Sequence, residues 1–296
     1  MNKYSLPEPI AFVFSGGSAR SAAQVGMLRA TLDAGVRPSS VVGSSTGALN
    51  AAATAVDPDA APAMLEAAWK SIGSDPKLTT LWRSAVRGLA NSQAKRTAAI
   101  LRTHVSVAIP STPLTDVDMP IALISTDLAS GLAVPCVSGT LLDAVMACMA
   151  LPVILPPVPA GDTFLVDGAV AASVPVTQAV QQGAKSIVLF DTGASAVPDK
   201  DVQDVGWYEV MALAYSHMVR GQAAHDLARV AQEVPVLAIS YPEGNPFDFK
   251  TSATHISGGE QLAKSVLSNR RSMKRPGIYG PVIGFESDER LVSLYR

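Results

Sequence analysis

Residues 10–14, Ile-Ala-Phe-Val-Phe, form an unbroken apolar run that ends at Gly16-Gly17, after which Ala22, Val25, Leu28 and Leu32 recur at the spacing of one helix face. That pattern predicts a strand, a glycine-rich turn and a helix stopping at Gly35, a residue suited to the left-handed C′ position. Val41-Val42 opens a second apolar run, which passes through Gly43-Ser44-Ser45-Thr46-Gly47 into the alanine-rich stretch 48–55. Two strand–turn–helix units in succession predict an α/β fold with a mainly parallel sheet.

From residue 60 to 105 the periodicity is helical, with Trp69, Ile72, Leu81, Trp82, Val86 and Leu89 as apolar anchors and basic residues such as Lys95 and Arg96 at polar positions. This stretch is expected to be a helical cover. Strand-like segments follow at 119–126, 132–137, 164–166 and 186–190, with a helical pattern over 141–149. The polar stretch 192–204 predicts a surface loop, residues 207–232 a long helix and 234–239 a further strand.

Composition narrows the function classes. Hydrophobic residues make up 48% of the 296 and charged residues 16%, a greasy balance for a globular chain. With 23 basic and 25 acidic residues the net charge is −2, which provides no field to gather nucleic acid. Cys136 and Cys148 have neither CxxC nor metal-ligand spacing, so a reducing, cytoplasmic setting is expected, without disulfide framework or zinc. The N-terminal residues lack a secretory h-region, and Pro152, Pro156, Pro157 and Pro159 interrupt the longest apolar stretch, so no membrane-spanning helix is expected.

Gly43-Ser44-Ser45-Thr46-Gly47 has the GxSxG form, in which small flanking residues permit a sharp strand-to-helix turn that pushes the central hydroxyl into the open. Ser45 is thus the candidate nucleophile, at the positive end of the helix that follows; the competing reading is an ordinary turn of small residues. An ester-cleaving serine also needs donors aimed at the developing oxyanion, and the backbone amides of Ser15-Gly16-Gly17-Ser18-Ala19-Arg20 are candidates. That loop has neither the GxGxxG nor the GxxxxGK[ST] spacing of nucleotide sites.

A glycine-rich loop after the first strand, a GxSxG elbow after the second and the later Asp167-Gly168-Ala169 occur in the order of the patatin-like phospholipase signature, and the chain resembles that family. The proline-rich run 150–157 and the segments around Phe247 and 258–267 resemble it too. The resemblance implies a three-layer α/β/α fold with Ser45 on a nucleophile elbow flanked by Gly43 and Gly47, and a domain over residues 9–267. The helical cover 60–105 lies inside that domain, and 268–296 is a C-terminal tail. The resemblance also implies a Ser45–Asp167 dyad and an oxyanion and substrate-binding loop of Gly16, Gly17, Ser18 and Arg20; no cofactor is expected, and no metal, because the sequence holds no cluster of oxygen or nitrogen ligands comparable to a calcium loop. Ser18 and Ser21 stand where the family usually has glycine. A positive φ at Ser18 would cost on the order of 1 kcal/mol relative to glycine.

The search for a base is short. Of His104, His217, His225 and His255, none lies in an evident loop after a strand, whereas Asp167 follows the strand-like 164–166 and precedes a glycine. An ordinary aspartate, with a pKa near 3.9, is a weak proton acceptor, so either partial burial raises it or strong oxyanion stabilisation lets proton transfer accompany attack. Asp127 and Asp191 also follow apolar runs and are read as turn or cap residues. Arg270, Arg271, Lys274 and Arg275 form a basic cluster, read as a solvated tail with transient membrane-surface contact as its functional alternative. The expected activity is metal-independent hydrolysis of acyl-ester lipids. A noncatalytic acyl-binding protein on the same scaffold is the second reading and a histidine triad hydrolase the third.

Overall fold

The computed structural model describes residues 4–78, 91–152, 154–193, 207–269, 272–282 and 293–295. The helical anchors Leu81, Trp82, Val86 and Leu89, Arg270 and Arg271, and most of the predicted loop 192–204 lie outside the described residues.

Strand β1 (Ile10–Phe14) explains the layering. Because side chains alternate across a strand, Ile10, Phe12 and Phe14 enter one core while Ala11 and Val13 enter another, and all five are buried. A strand apolar on both faces must be covered on both. Phe12 and Phe14 pack on Phe190 with ring centroids 5.3 and 4.8 Å away, edge-on and stacked respectively. Such pairs add about 0.5–1.5 kcal/mol each beyond simple burial.

Around β1 stand β2 (Ser40–Ser44), β3 (Ile121–Asp127), β4 (Ala133–Pro135), β5 (Val158–Ala160), β6 (Thr163–Asp167), β7 (Ser186–Asp191), β8 (Pro235–Ser240) and β9 (Gly277–Tyr279). The sheet order is β5-β6-β3-β2-β1-β7-β8-β9, with β4 on β3. Pairings from β3 across to β9 are parallel, and β4, β5 and β6 add an antiparallel flank.

The face holding Phe12 is covered by α1 (Ala23–Asp33), α2 (Gly47–Val56), α3 (Ala61–Ser74), α4 (Asn91–Val105) and α5 (Leu141–Cys148). The opposite face is covered by α6 (Ala169–Ala172), α7 (Val176–Gln181) and α8 (Trp207–Val230), while α9 (Ser252–Ser268) returns to the first. The fold is therefore three-layered α/β/α, and Gly35, at φ 81, follows α1 as its helix-stop pattern predicts. Among the described residues no helix is long and apolar enough to cross a membrane.

Two short strands lack a sequence pattern of their own. β5 contains Pro159, tolerable because it pairs on one side only, and β9, within the stretch expected as a tail, extends the sheet beyond β8. The sheet order reverses direction at β1, with β2 on one side and β7 on the other. In open α/β sheets that reversal opens a crevice at the carboxyl ends of the strands.

Candidate active site

Three strand ends meet in that crevice. Ser45 immediately follows β2 with φ 53, a left-handed conformation that costs a residue with a Cβ about 1–2 kcal/mol. Packing holds it there: a Cβ on Gly47 would strike the carbonyl oxygens of Phe14 and Ser15, and one on Gly43 would come within 2.7 Å of Ala48 Cα. Glycine at 47 lets α2 start this close to the end of β1, and glycine at 43 lets α2 pack this close to β2. The turn sets Ser45 Oγ at the positive end of α2, in a side chain 9% exposed.

Asp167 arrives by a different route. In the ladders Ser44 stands opposite Ile124 and Asp167 opposite Ser125, so β3 carries the carboxylate to the neighbourhood of the serine. Ser45 Oγ donates to Asp167 Oδ2 at 2.8 Å, and the Ala169 amide donates to Oδ1 at 2.8 Å. Thr126 Oγ1 donates to the Asp167 carbonyl at 2.9 Å, which fixes the backbone. Burial pushes the Asp167 carboxyl from 3.8 up to about 7, against the pull of the Ala169 amide and the Ser45 hydroxyl.

The glycine-rich loop lies against Ser45: a Cβ added to Gly16 would sit 3.0 Å from that of Ser45. Its amides are pinned by bonds to carbonyls outside it, Ser15 N–H to Phe190 O at 3.1 Å, Gly16 N–H to Ser173 O at 2.9 Å and Ala19 N–H to Pro246 O at 2.9 Å. Gly16 therefore has its amide committed, and among the described residues the amides of Gly17 and Ser18 meet no acceptor. Ser18 takes φ 54, the conformation in which serine is costlier than glycine.

A buried polar network underlies loop and elbow together. Ser21 Oγ lies 2.7 Å from Thr46 Oγ1. Gln24 Nε2 donates to Ser15 O at 2.8 Å and Phe190 O at 2.9 Å, Asn50 Nδ2 to Gln24 Oε1 at 2.7 Å, and Trp69 Nε1 to Asn50 Oδ1 at 3.0 Å. Ser21, one of the departures from glycine, is thus built into the join between loop and elbow.

Beside the loop, Arg220 of α8 donates to both carboxylate oxygens of Asp191, at 3.1 and 3.3 Å, and both side chains are buried. Asp191 is therefore half of an interior ion pair, besides the turn role read from sequence, which its bond from Gly193 N–H at 3.1 Å fits. Arg20 is buried nearby. Loss of solvent brings its guanidinium down to about 10, with Asp191 opposing and Arg220 reinforcing that shift. Tyr215, also on α8, has its phenol pushed up by burial and then by the charge of Asp167. Neither Arg220 nor Tyr215 stood out in the sequence, where both read as ordinary helix positions.

The remaining candidates lie elsewhere. Asp127 Oδ1 accepts the amides of Ala129 and Ser130 at 2.9 and 2.8 Å, as a turn residue does. His104 bonds Ser71 at 2.7 Å and Asp75 at 3.0 Å, His255 bonds Thr251 at 3.0 Å, and His217 and His225 are exposed on α8. Among the described residues no histidine hydrogen-bonds Ser45. Lys274 and Arg275 are exposed.

Residues 12–180 match the family model for patatin-like phospholipase. Patatin-like phospholipase domain-containing protein 7 of Mus musculus is 27% identical over 187 residues, 62% of this chain and 14% of that protein. An uncharacterized NTE family protein of Mycobacterium tuberculosis is 26% identical over 191 residues, 64% of this chain and 31% of its own length. Lysophospholipase NTE1 of Mycosarcoma maydis is 26% identical over 185 residues, 62% of this chain and 10% of that protein. The chain thus matches only a minor part of each of these longer relatives. The crystal structure of VipD from Legionella pneumophila aligns with a TM-score of 0.46 and 12% identity, covering 90% of this chain and 68% of that one.

Proposed function

Because this chain belongs to the patatin-like phospholipase family, on a match that spans more than half its length, we propose that it is a serine hydrolase of acyl-ester lipids, with Ser45 as nucleophile and Asp167 as base. The observation that carries this reading is the 2.8 Å bond from Ser45 Oγ to a buried carboxylate whose pKa is raised to about 7. A base poised near neutrality accepts a proton far better than an ordinary aspartate.

In the proposed reaction Ser45 Oγ attacks the ester carbonyl as its proton passes to Asp167 Oδ2, while the amides of Gly17 and Ser18 receive the oxyanion. Collapse expels the alcohol, which takes the proton from Asp167 and leaves an acyl-serine. Water, deprotonated by the same carboxylate, then releases the fatty acid and restores Ser45. The dyad needs no metal in this scheme. One relative is a lysophospholipase, which supports phospholipid and lysophospholipid esters as the substrate class.

The test is hydrolysis of a medium-chain p-nitrophenyl ester by the parent protein, Ser45→Ala and Asp167→Asn, with chelator present and each fold checked by circular dichroism. Turnover confined to the parent is expected. Equal rates in all three, or loss of activity to the chelator alone, would overturn the reading. Lipid retention without labelling of Ser45 by a fluorophosphonate would favour a noncatalytic acyl-binding protein.

A further inference from the structure

Neither cysteine takes part in the proposed hydrolysis, yet the two sulfurs are neighbours. Cys136 Sγ and Cys148 Sγ lie 3.9 Å apart, and Ser125 Oγ meets them at 3.4 and 3.5 Å. Both thiols are free. Cys136, just beyond β4, is half-buried and lines a cleft of about 670 Å³ between α4, α5 and the antiparallel flank, so a small oxidant can reach it. Cys148 ends α5 and is fully enclosed.

The pair sits directly behind the candidate base. Cys148 O accepts the amide of Gly168 at 3.1 Å, and Ala150 O that of Asp167 at 2.9 Å. Ser125, which touches both sulfurs, stands opposite Asp167 in the β3–β6 ladder. A shift of the Cys148 backbone is therefore passed to the Asp167-Gly168 turn through a single hydrogen bond.

We infer that Cys136 and Cys148 form a hydroperoxide-reactive dithiol, and that its closure to a disulfide displaces the Asp167-Gly168 turn and slows acylation of Ser45. The effect on Ser45 rests on the hydrolase reading; the dithiol chemistry does not. The two thiols are unequal in a way that suits the chemistry. A hydrogen bond from Cys148, with help from Ser125, holds the Cys136 thiol below its ordinary value, whereas burial pushes Cys148 well above.

The Cys136 thiolate attacks one peroxide oxygen; the O–O bond breaks, and the other oxygen leaves as an alcohol or water after taking a proton. Cys148 then gives up its proton and attacks the sulfenic sulfur, expelling water. Two thiols lose two electrons in total and the peroxide gains them, so no further reactant is required. Closure brings the sulfurs from 3.9 Å to about 2.05 Å, a combined movement of roughly 2 Å.

The whole chain would be treated with hydrogen peroxide and followed by intact mass, peptide mapping, hydrogen exchange and the rate of fluorophosphonate labelling at Ser45. Expected are a mass loss of about 2 Da, from the two hydrogens removed as the thiols join, and a crosslinked peptide joining Cys136 to Cys148. Amide exchange over residues 163–172 is expected to change, and labelling to slow by about tenfold, modest beside the effect of a misplacement of about 1 Å in a reacting group. Dithiothreitol should restore both. Cys136→Ser, at the half-buried position, should form no crosslink and keep the labelling rate of the reduced parent through the treatment. Full alkylation of both cysteines after peroxide, or a sulfinic Cys136 without a crosslink, overturns the dithiol. A crosslink that leaves exchange over 163–172 unchanged overturns the coupling. If the reduced parent takes up no probe the hydrolase reading falls, and the exchange result alone decides the coupling.

Discussion

Asp167→Asn is expected to abolish turnover and, above neutral pH, to make the protein harder to unfold. The native carboxyl is 1% exposed and ionises near 7 rather than 3.8. In the unfolded chain it ionises near the lower value, so between the two the native state holds a proton that the unfolded state has released. Stability from this group is therefore present at low pH, declines as pH rises through that window and is flat above about 7. A shift of about three units at 1.36 kcal/mol each sets the decline on the order of 4 kcal/mol, an upper bound for a site that admits some water. Asparagine has no proton to lose, and its amide still offers an oxygen to the Ala169 amide. Urea unfolding of parent and variant from pH 4 to 9 measures the difference between them, in which all other titrating groups cancel. The gap is expected to widen in the variant's favour up to about pH 7 and then hold, while the parent's kcat/KM climbs over the same window as the base form appears. Parallel stability curves for the two proteins would refute the claim that burial is what raises this carboxyl.

Asp191→Ala leaves Arg220 buried without its carboxylate and is expected to cost about 3–5 kcal/mol in a denaturant titration; a loss under 1 kcal/mol would mean that solvent reaches the pair. Asn50→Ala strands Trp69 Nε1 and Gln24 Oε1 in the interior, at roughly 1–3 kcal/mol for each group. Thermal melting checks that sum, and labelling of Ser45 should slow as the loop and elbow lose their common support. Ser18→Gly removes the Cβ from a residue at φ 54 and is expected to raise stability by up to about 1 kcal/mol, set against the added freedom of the unfolded chain; a clear drop would show that the serine side chain contributes contacts worth more than the strain.

The sequence was most legible where a signal is local. β1 reads as an unbroken apolar run because both of its faces are buried, and Gly43 and Gly47 are visible because the elbow tolerates no Cβ at either place. What stayed hidden depends on which strands become neighbours. β5 and β9 are three residues each, too short to carry a period, and are held by their partners. Asp191 and Arg220 lie 29 residues apart on a strand end and a helix, and Cys136 and Cys148 are 12 apart across β4 and α5. Neither separation matches any motif, so only the packing of those elements reveals the pairs. Asp167 stood out by its motif, but its distance from Ser45 is fixed by β6 pairing antiparallel to β3, a register that the hydrophobic pattern of 164–166 does not specify.

The same burial that suits Asp167 to its proposed role as a base makes it costly as a residue, and the surrounding structure balances the two. A carboxylate left in water would be a weak acceptor for a serine proton, and one sealed away without partners would stay protonated far above neutrality. Here burial raises it, while the Ala169 amide and Ser45 hydroxyl lower it, and the result falls near 7. Both stabilising donors depend on local geometry, the first on the turn at Gly168, where a Cβ would strike the Ile124 carbonyl, and the second on the strained turn at Ser45. The basicity of the site is thus a property of how two turns are held rather than of the aspartate alone. That is why a sulfur pair anchored to Gly168 through one backbone hydrogen bond is placed to alter it without touching substrate.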